Sequence, residues 1–355
     1  MVSLFGRGFD SLQLHNYSNY QSRLMRNKRL LLTMVALCLL TSSCVLAQGP
    51  NGSGTYYQAA DGKKGAELKT ALSGIIYNRT ERSYGDLWED FKTTDKRPDG
   101  KVWDMYSGTS NFEFGTDQDK GSGGSKEGEF YNREHSFPNS WFGGKIQPMY
   151  TDLHHMYPTD KLVNNKRGNN PFGETNGSWK SEGGFSKLGT CTYPGYTGTV
   201  FEPNDEYKGD FARTYFYMVT CYEEKLADWY ANNTESQPTL DGNAYPGLSA
   251  WQLEMLMKWA KQDPVSEKET NRNNAVYAIQ KNRNPFIDYP GLEEYIWGEK
   301  TTVAFSYDHY NETQGIAVTK RSSSRKSRIY NLRGQRIHKP SKGIYIKDGK
   351  KVVSK

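Results

Sequence analysis

Cysteine is scarce in this chain and poorly placed for metal chemistry. Of four Cys in 355 residues, Cys38 and Cys44 fall within the first 47. Cys191 and Cys221 remain, with no Cys-x-x-Cys pair, so a thiolate zinc site is not expected. The two can pair in an oxidising compartment or stay free and buried. Long apolar runs are also missing. None approaches the roughly 18–20 residues of a membrane-spanning helix, which excludes a helical integral membrane protein. Hydrophobic residues make up only 35% and mean hydropathy is −0.84. Such polarity would suit a disordered chain, but aromatic residues reach 14%, with 25 Tyr and 8 Trp. Disordered chains lack such rings, so wholesale disorder is excluded. The length suits one large domain or two ordinary ones.

A net positive charge is missing from the body of the chain, although the total is +6. Residues 1–47 carry +4 and residues 317–355 carry +12, which leaves −10 on residues 48–316. The body therefore offers no bulk attraction for nucleic acid. Any chemistry on nucleic acid must rest on a local site.

The N-terminus reads as a secretion signal. Met25-Arg26-Asn27-Lys28-Arg29 is basic, Leu30 to Leu40 is apolar, and Val45-Leu46-Ala47 resembles a small-residue cleavage site before Gln48. Met25 is an alternative start. Cys44 offers a lipoprotein anchor as the lesser alternative to a freely secreted or cell-surface product.

Four segments carry helical periodicity. Leu68, Leu72, Ile75 and Ile76 mark one over about 65–79. Phe211, Tyr215, Met218, Tyr222, Leu226 and Trp229 predict a single amphipathic helix. Trp251, Met255, Leu256 and Trp259 mark another, stopped near Asp263-Pro264. Ser266 to Glu269 is a capping box that opens a fourth, with Val276 and Ile279 inward. Between about 100 and 205 the chain is loop-rich, with strand-like pieces at Asn111 to Phe114 and Glu129 to Phe137. Helices flanking a weakly β centre predict an α+β fold. Residues 1–47 read as extension and signal, 48–300 as the main domain, 301–328 as linker and 329–355 as a short β segment. In that tail, Ile329 to Leu332, Gly343 to Ile346 and Lys351 to Val353 predict three strands.

Histidine is rare too, and unevenly spread. Of six His, His135, His154 and His155 lie within 21 residues. Around them run Asn132-Arg133-Glu134-His135, Asp152-Leu153-His154-His155-Met156-Tyr157-Pro158 and Asn164-Asn165-Lys166-Arg167-Gly168-Asn169. Phosphodiester hydrolysis needs these types. A neutral imidazole takes a proton from water near pH 7. A divalent metal on hard oxygen ligands neutralises developing charge, and Arg forks onto a phosphate oxygen. Glu134 or Asn164 can bind metal, His135 can be the base and Arg167 can clamp phosphate. Thr159 or Asp160 can cap a short helix carrying Asn164, which would complete a β-β-α unit. One difficulty is geometric. Strand neighbours face opposite ways, so Glu134 and His135 share a site only if the strand ends or bulges there. Plainer readings stand beside these. Asp152 and His154 could bond each other in a buried network, His154-His155 could bind a transition metal, and the Asn run could be surface turns.

The ordered set Arg133-Glu134-His135, Asp152 to Pro158, and Val163-Asn164 with Arg167-Gly168-Asn169 resembles the endonuclease I family, non-specific nucleases of the His-Me finger (β-β-α metal) class. Trp259 to Ser266 and Asn282 to Asp288 look like that family's C-terminal helices, so the resemblance covers roughly 60–297. It implies a mostly helical body around a β-β-α metal core. It also implies His135 as general base and Glu134 and Asn164 as ligands of Mg²⁺, with Mn²⁺ or Ca²⁺ as alternatives. Arg133, Asp152, His154, His155 and Asn169 support the site. Products would carry 5′-phosphate and 3′-hydroxyl ends. Two departures stand out: His155 replaces the usual Asn, and Gly168 replaces Ser. The tail resembles the sorting domains of type IX secretion, which would engage the secretion machinery. The expected protein is a monomeric, exported endonuclease that contacts the backbone of DNA, with RNA open. The competing class is an exported, non-catalytic glycan- or polyanion-binding module.

Overall fold

The computed structural model describes residues 48–310, Met25, and the backbone of short strands between 329 and 354. The predicted signal and most of the linker lie outside the described residues. Among those described, no helix is long and apolar enough to cross a membrane.

The body is α+β. Helices α1 (Gly65–Ile76) and α2 (Leu87–Thr94) precede strands β1 (Tyr131–His135) and β2 (Met156–Asp160). Helix α3 (Lys161–Arg167) follows β2 directly. A small antiparallel sheet comprises β3 (Trp179–Lys180), β4 (Lys187–Thr190) and β5 (Thr199–Glu202). Then come α4 (Lys208–Cys221), α5 (Leu226–Asn232), α6 (Ala250–Gln262), α7 (Glu267–Gln280), α8 (Pro285–Asp288) and α9 (Leu292–Ile296).

Three of the predicted helices hold with small shifts. α7 opens on the predicted capping box, with Ser266 and Glu269 bonding reciprocally, and closes on Lys281 at φ 68. The single helix expected over 211–229 does not form. It breaks at Tyr222 (φ −114, ψ 30), and a 3-10 turn at Glu223–Lys225 leads into α5. Nor is α4 amphipathic, because every one of its residues is buried. Its polar side chains point into the protein and are paired there, Arg213 with Glu269 and Asp210 with Lys268. A pattern that reads only apolar spacing cannot see polar residues buried as ion pairs. Asn111 to Phe114 is not a strand. Cys191 and Cys221 are both free and buried.

The body also runs past residue 300. Phe305, Tyr307 and Tyr310, placed by sequence in the linker, are buried, and Phe305 exchanges backbone hydrogen bonds with Gly62 and Lys63. In the tail, β6 (Ile329–Tyr330), β7 (Arg336–Ile337), β8 (Gly343–Lys347) and β9 (Lys350–Ser354) form one antiparallel sheet in the order β7-β6-β8-β9. The three predicted strands are there, and β7 is one the sequence did not reveal.

Beneath β2 lies a compact apolar cluster. Leu87 and Phe91 of α2, Val276 of α7, Leu153 and Met156 are all fully buried in it. Arg272 of α7 adds a polar anchor, donating to the carbonyls of Leu153 (2.9 Å) and Met156 (2.7 Å) and pairing with Asp95. The start of β2 is thus fixed from two helices.

Candidate active site

β1 and β2 pair antiparallel with His135 opposite Met156 and Tyr131 opposite Asp160. Asp160 ends β2 and caps α3, its carboxylate accepting from the Val163 N–H at 3.0 Å. Lys166 and Arg167 sit in the last turn of α3, where cations suit the helix dipole. Gly168 stops the helix at φ 56, ψ −135. That region is essentially closed to residues with a Cβ, which accounts for glycine where the family has serine. Two strands and a capped helix thus form a β-β-α unit.

The strand-alternation difficulty resolves at the strand end. β1 stops at His135, and Glu134 and His135 face one cavity of about 260 Å³, together with Arg133, Asn139, Asn164 and Asn169. The three side chains on which the sequence reading depended therefore meet.

Each is held by one part and open at another. Glu134 Oε1 accepts from the Tyr106 hydroxyl at 2.8 Å and from Arg167 Nη1. Its Oε2 takes no hydrogen bond from the described residues. Asn164 Nδ2 donates to Asn132 Oδ1 at 2.8 Å, which turns its own carbonyl oxygen free. His135 Nε2 lies 2.9 Å from the Tyr150 carbonyl. A carbonyl can only accept, so Nε2 carries the proton and Nδ1 keeps its lone pair. The ring stacks on Tyr150 (centroids 5.0 Å apart), which stacks on Tyr84. Burial, with a further push from His155, lowers the His135 pKa to about 3. The imidazole is therefore neutral.

Arg167 is not where the sequence put it. It is fully buried and does not reach the cavity as a clamp. Besides Glu134, its guanidinium donates to the carbonyls of His135 (3.0 Å) and Ser136 (2.7 Å). Burial works against its charge, but Tyr106, Glu134 and Tyr215 outweigh that and hold it protonated. The residue ties the end of β1 to the carboxylate. Arg133 is the cation that lines the cavity. Its guanidinium sits 3.5 Å from the Tyr84 ring centre and 4.2 Å from that of Trp88. Of the other basic residues, Lys161 is turned away into an ion pair with Asp119.

Asp152, His154 and His155 do not line the cavity. Asp152 accepts from the hydroxyls of Tyr217 and Tyr222 and from Gln280, each at 2.8 Å, and pairs with Arg79. His154 Nε2 meets the Asn282 carbonyl and His155 Nε2 the Met149 carbonyl. The two rings thus direct their Nε2 atoms at different carbonyls. Despite replacing Asn, His155 keeps the scaffold, its carbonyl accepting from Ser136 N and Oγ. Asn169 reaches the cavity and also donates to Glu235.

Tyr106, Tyr150 and Tyr84 carried no local signal in the sequence. Asn132 did carry one, since it lies two residues before Glu134 on the same strand face. Among the described residues no three His, Cys, Asp or Glu converge as a metal cluster. A carboxylate and an amide oxygen are a hard donor pair. They suit Mg²⁺, which keeps most of its water and needs only one or two protein carboxylates.

Comparison with known proteins shows the class, a nuclease, and the family. The Endonuclease I family model matches residues 64–291, and the chain belongs to that family. It is 38% identical over 264 residues to the extracellular ribonuclease of Bacillus amyloliquefaciens, covering 72% of this chain and 82% of that protein. The extracellular ribonuclease of Bacillus subtilis is 35% identical, covering 71% and 87%. An extracellular deoxyribonuclease of Aeromonas hydrophila is 28% identical over 41% of this chain and 52% of its own.

Proposed function

We propose that this nuclease is a secreted, Mg²⁺-dependent endonuclease that hydrolyses RNA and DNA without reading sequence. One observation carries the reading: Glu134 Oε2, Asn164 Oδ1 and His135 Nδ1 take no hydrogen bond from the described residues while the rest of each side chain is pinned. The two oxygens would hold the ion, and Arg167 and Tyr106 orient the carboxylate toward it. When bound, Mg²⁺ supplies positive charge to the phosphate and the leaving oxygen.

His135 Nδ1 takes a proton from the attacking water while the Tyr150 carbonyl steadies the imidazolium. Oxygen of that water bonds to phosphorus and the P–O3′ bond breaks. The 3′ oxygen takes a proton from solvent, giving 3′-hydroxyl and 5′-phosphate ends. Arg133 meets a non-bridging oxygen at the cavity mouth. Because water attacks, no ribose 2′-hydroxyl is needed. Both sugars then qualify, which suits relatives named as ribonucleases and as deoxyribonucleases. Contacts limited to backbone also suit an acidic body whose cavity is lined by Arg133. The extracellular names of the relatives support export, and we read the tail sheet as a sorting module for it.

The test uses supercoiled plasmid and a 5′-labelled RNA with Mg²⁺. Both should be cut, and EDTA should stop both. Glu134→Gln should raise the Mg²⁺ requirement. An unchanged Mg²⁺ titration would remove Glu134 from the metal. Plasmid and RNA left whole in Mg²⁺ would favour the glycan- or polyanion-binding alternative.

A further inference from the structure

A second cavity, of about 400 Å³, adjoins the catalytic one and has a different character. The 3-10 turn Asn139–Phe142 divides them. Pro138 and Asn139 line the catalytic side, and Ser140 to Gly143 line the other. Glu235 Oε2 bridges the rims, accepting from Ser140 Oγ at 2.7 Å and Asn169 Nδ2 at 3.0 Å. One residue lining each cavity, Ser140 and Asn169, is thus tied to the same carboxylate oxygen, so the two openings are neighbours across the turn.

Phe142 and Trp229 form an apolar floor, and Tyr77 (40% exposed) and Ile146 (49% exposed) stand at the rim. Monomeric proteins seldom leave such side chains around a hollow without use. Polar groups at its edge are amides. Gln147 accepts from Thr151 through its carbonyl oxygen, and neither its NH₂ nor the Asn232 amide makes a hydrogen bond to the described residues. Lys225 and Asp228 bring opposite charges that cancel. A flat aromatic with donor and acceptor edges fits this lining, whereas a phosphate does not.

We propose that this cavity is a nucleobase subsite. It takes the unstacked base of the nucleotide next to the cleaved phosphate, packs its face against the aromatic and aliphatic walls, and meets its edge with Gln147 and Asn232. This rests on the catalytic reading of the neighbouring cavity and adds a substrate class to it. A paired base cannot enter, so single strands are cut faster than duplex.

The experiment uses the full chain, Mg²⁺ and a 5′-labelled single-stranded DNA oligonucleotide with one abasic position. At one bond flanking that position, cleavage should fall about tenfold relative to the intact oligonucleotide, within the range that base stacking contributes. More distant bonds should be cut as before. Tyr77→Ala and Asn232→Ala should each slow cutting of the intact strand and shrink the abasic effect, because variant and missing base remove one shared contact. Equal cutting at every bond of the abasic strand overturns the subsite and leaves the nuclease reading intact. So does an abasic effect undiminished in both variants. An intact oligonucleotide left uncut by the wild-type protein overturns both readings.

Discussion

Two clusters of imidazole and carboxylate meet where β1 ends and β2 begins. Glu134, His135 and Asn164 form one, and Asp152, His154 and His155 the other. The His135 and His155 rings are only 5.6 Å apart between centroids. Residue types barely differ between the clusters, yet their bonding does. Asp152 accepts from two tyrosines, a glutamine and a backbone N–H, and it faces Arg79. Its own burial opposes ionisation, but Arg79, with the Gln280 hydrogen bond, overcomes that and holds its carboxyl well below the usual range. Glu134, by contrast, keeps one oxygen free beside a cavity. A buried charge that is fully hydrogen-bonded serves the fold. One left with an open valence can take a ligand.

Mutations on the two sides should give different kinds of damage. His135→Ala should lower kcat by about 10²–10⁴-fold, the usual contribution of a general base, with little change in urea midpoint. Asp152→Ala should do the reverse. It strands Arg79 and three side-chain donors, and breaking such a buried pair costs about 3–5 kcal/mol. Urea unfolding should register that loss, while the folded fraction keeps most of its kcat. An Asp152 variant of unchanged stability and no activity would move Asp152 into the chemistry.

Arg167→Lys sharpens the boundary between the clusters. Lysine keeps the charge but cannot fork onto two carbonyls and a carboxylate at once. Residues that orient a metal ligand typically change metal affinity by about 10–100-fold. The Mg²⁺ requirement should rise by that much, with KM for nucleic acid and its salt dependence nearly unchanged. A steep change in salt dependence would instead mean that Arg167 contacts phosphate.

Much of this was legible in the residues. The β-β-α unit followed from Asp160 as a cap and from the strand pattern around Glu134, and the helices followed from their apolar spacing. Arg167 was misplaced because spacing along α3 puts it one turn from Asn164 without saying which residue faces in. Its burial depends on Ser136 and Tyr215, remote in sequence. The supporting tyrosines were illegible for the same reason. Tyr106 reaches Glu134 across 28 residues, and nothing in a loop-rich stretch marks it from the other Tyr. The broken helix at Tyr222 escaped because apolar spacing continues through it. At the break the Tyr222 hydroxyl donates to Asp152, a partner 70 residues away that local spacing cannot show.

The smallest expected effect is the cleanest probe of the sealed cluster. Burial lowers the His154 pKa to about 3 and that of His155 to about 4, against 6.5 for an exposed ring. The unfolded chain therefore binds these protons as pH falls below 6.5 while the native protein does not. Stability held by neutral rings is lost over that range and levels off near the folded values. Global unfolding would hide this. Burial also raises Asp104 and Glu293 to about 7 and Asp263 to about 6, and these take up protons on folding, with the opposite sign. Site-resolved NMR of the metal-free protein avoids the cancellation. The His154 and His155 ring signals should stay flat from pH 8 to 5. If either moves with a midpoint near 6.5, water reaches that ring, and the cluster around Asp152 is not sealed.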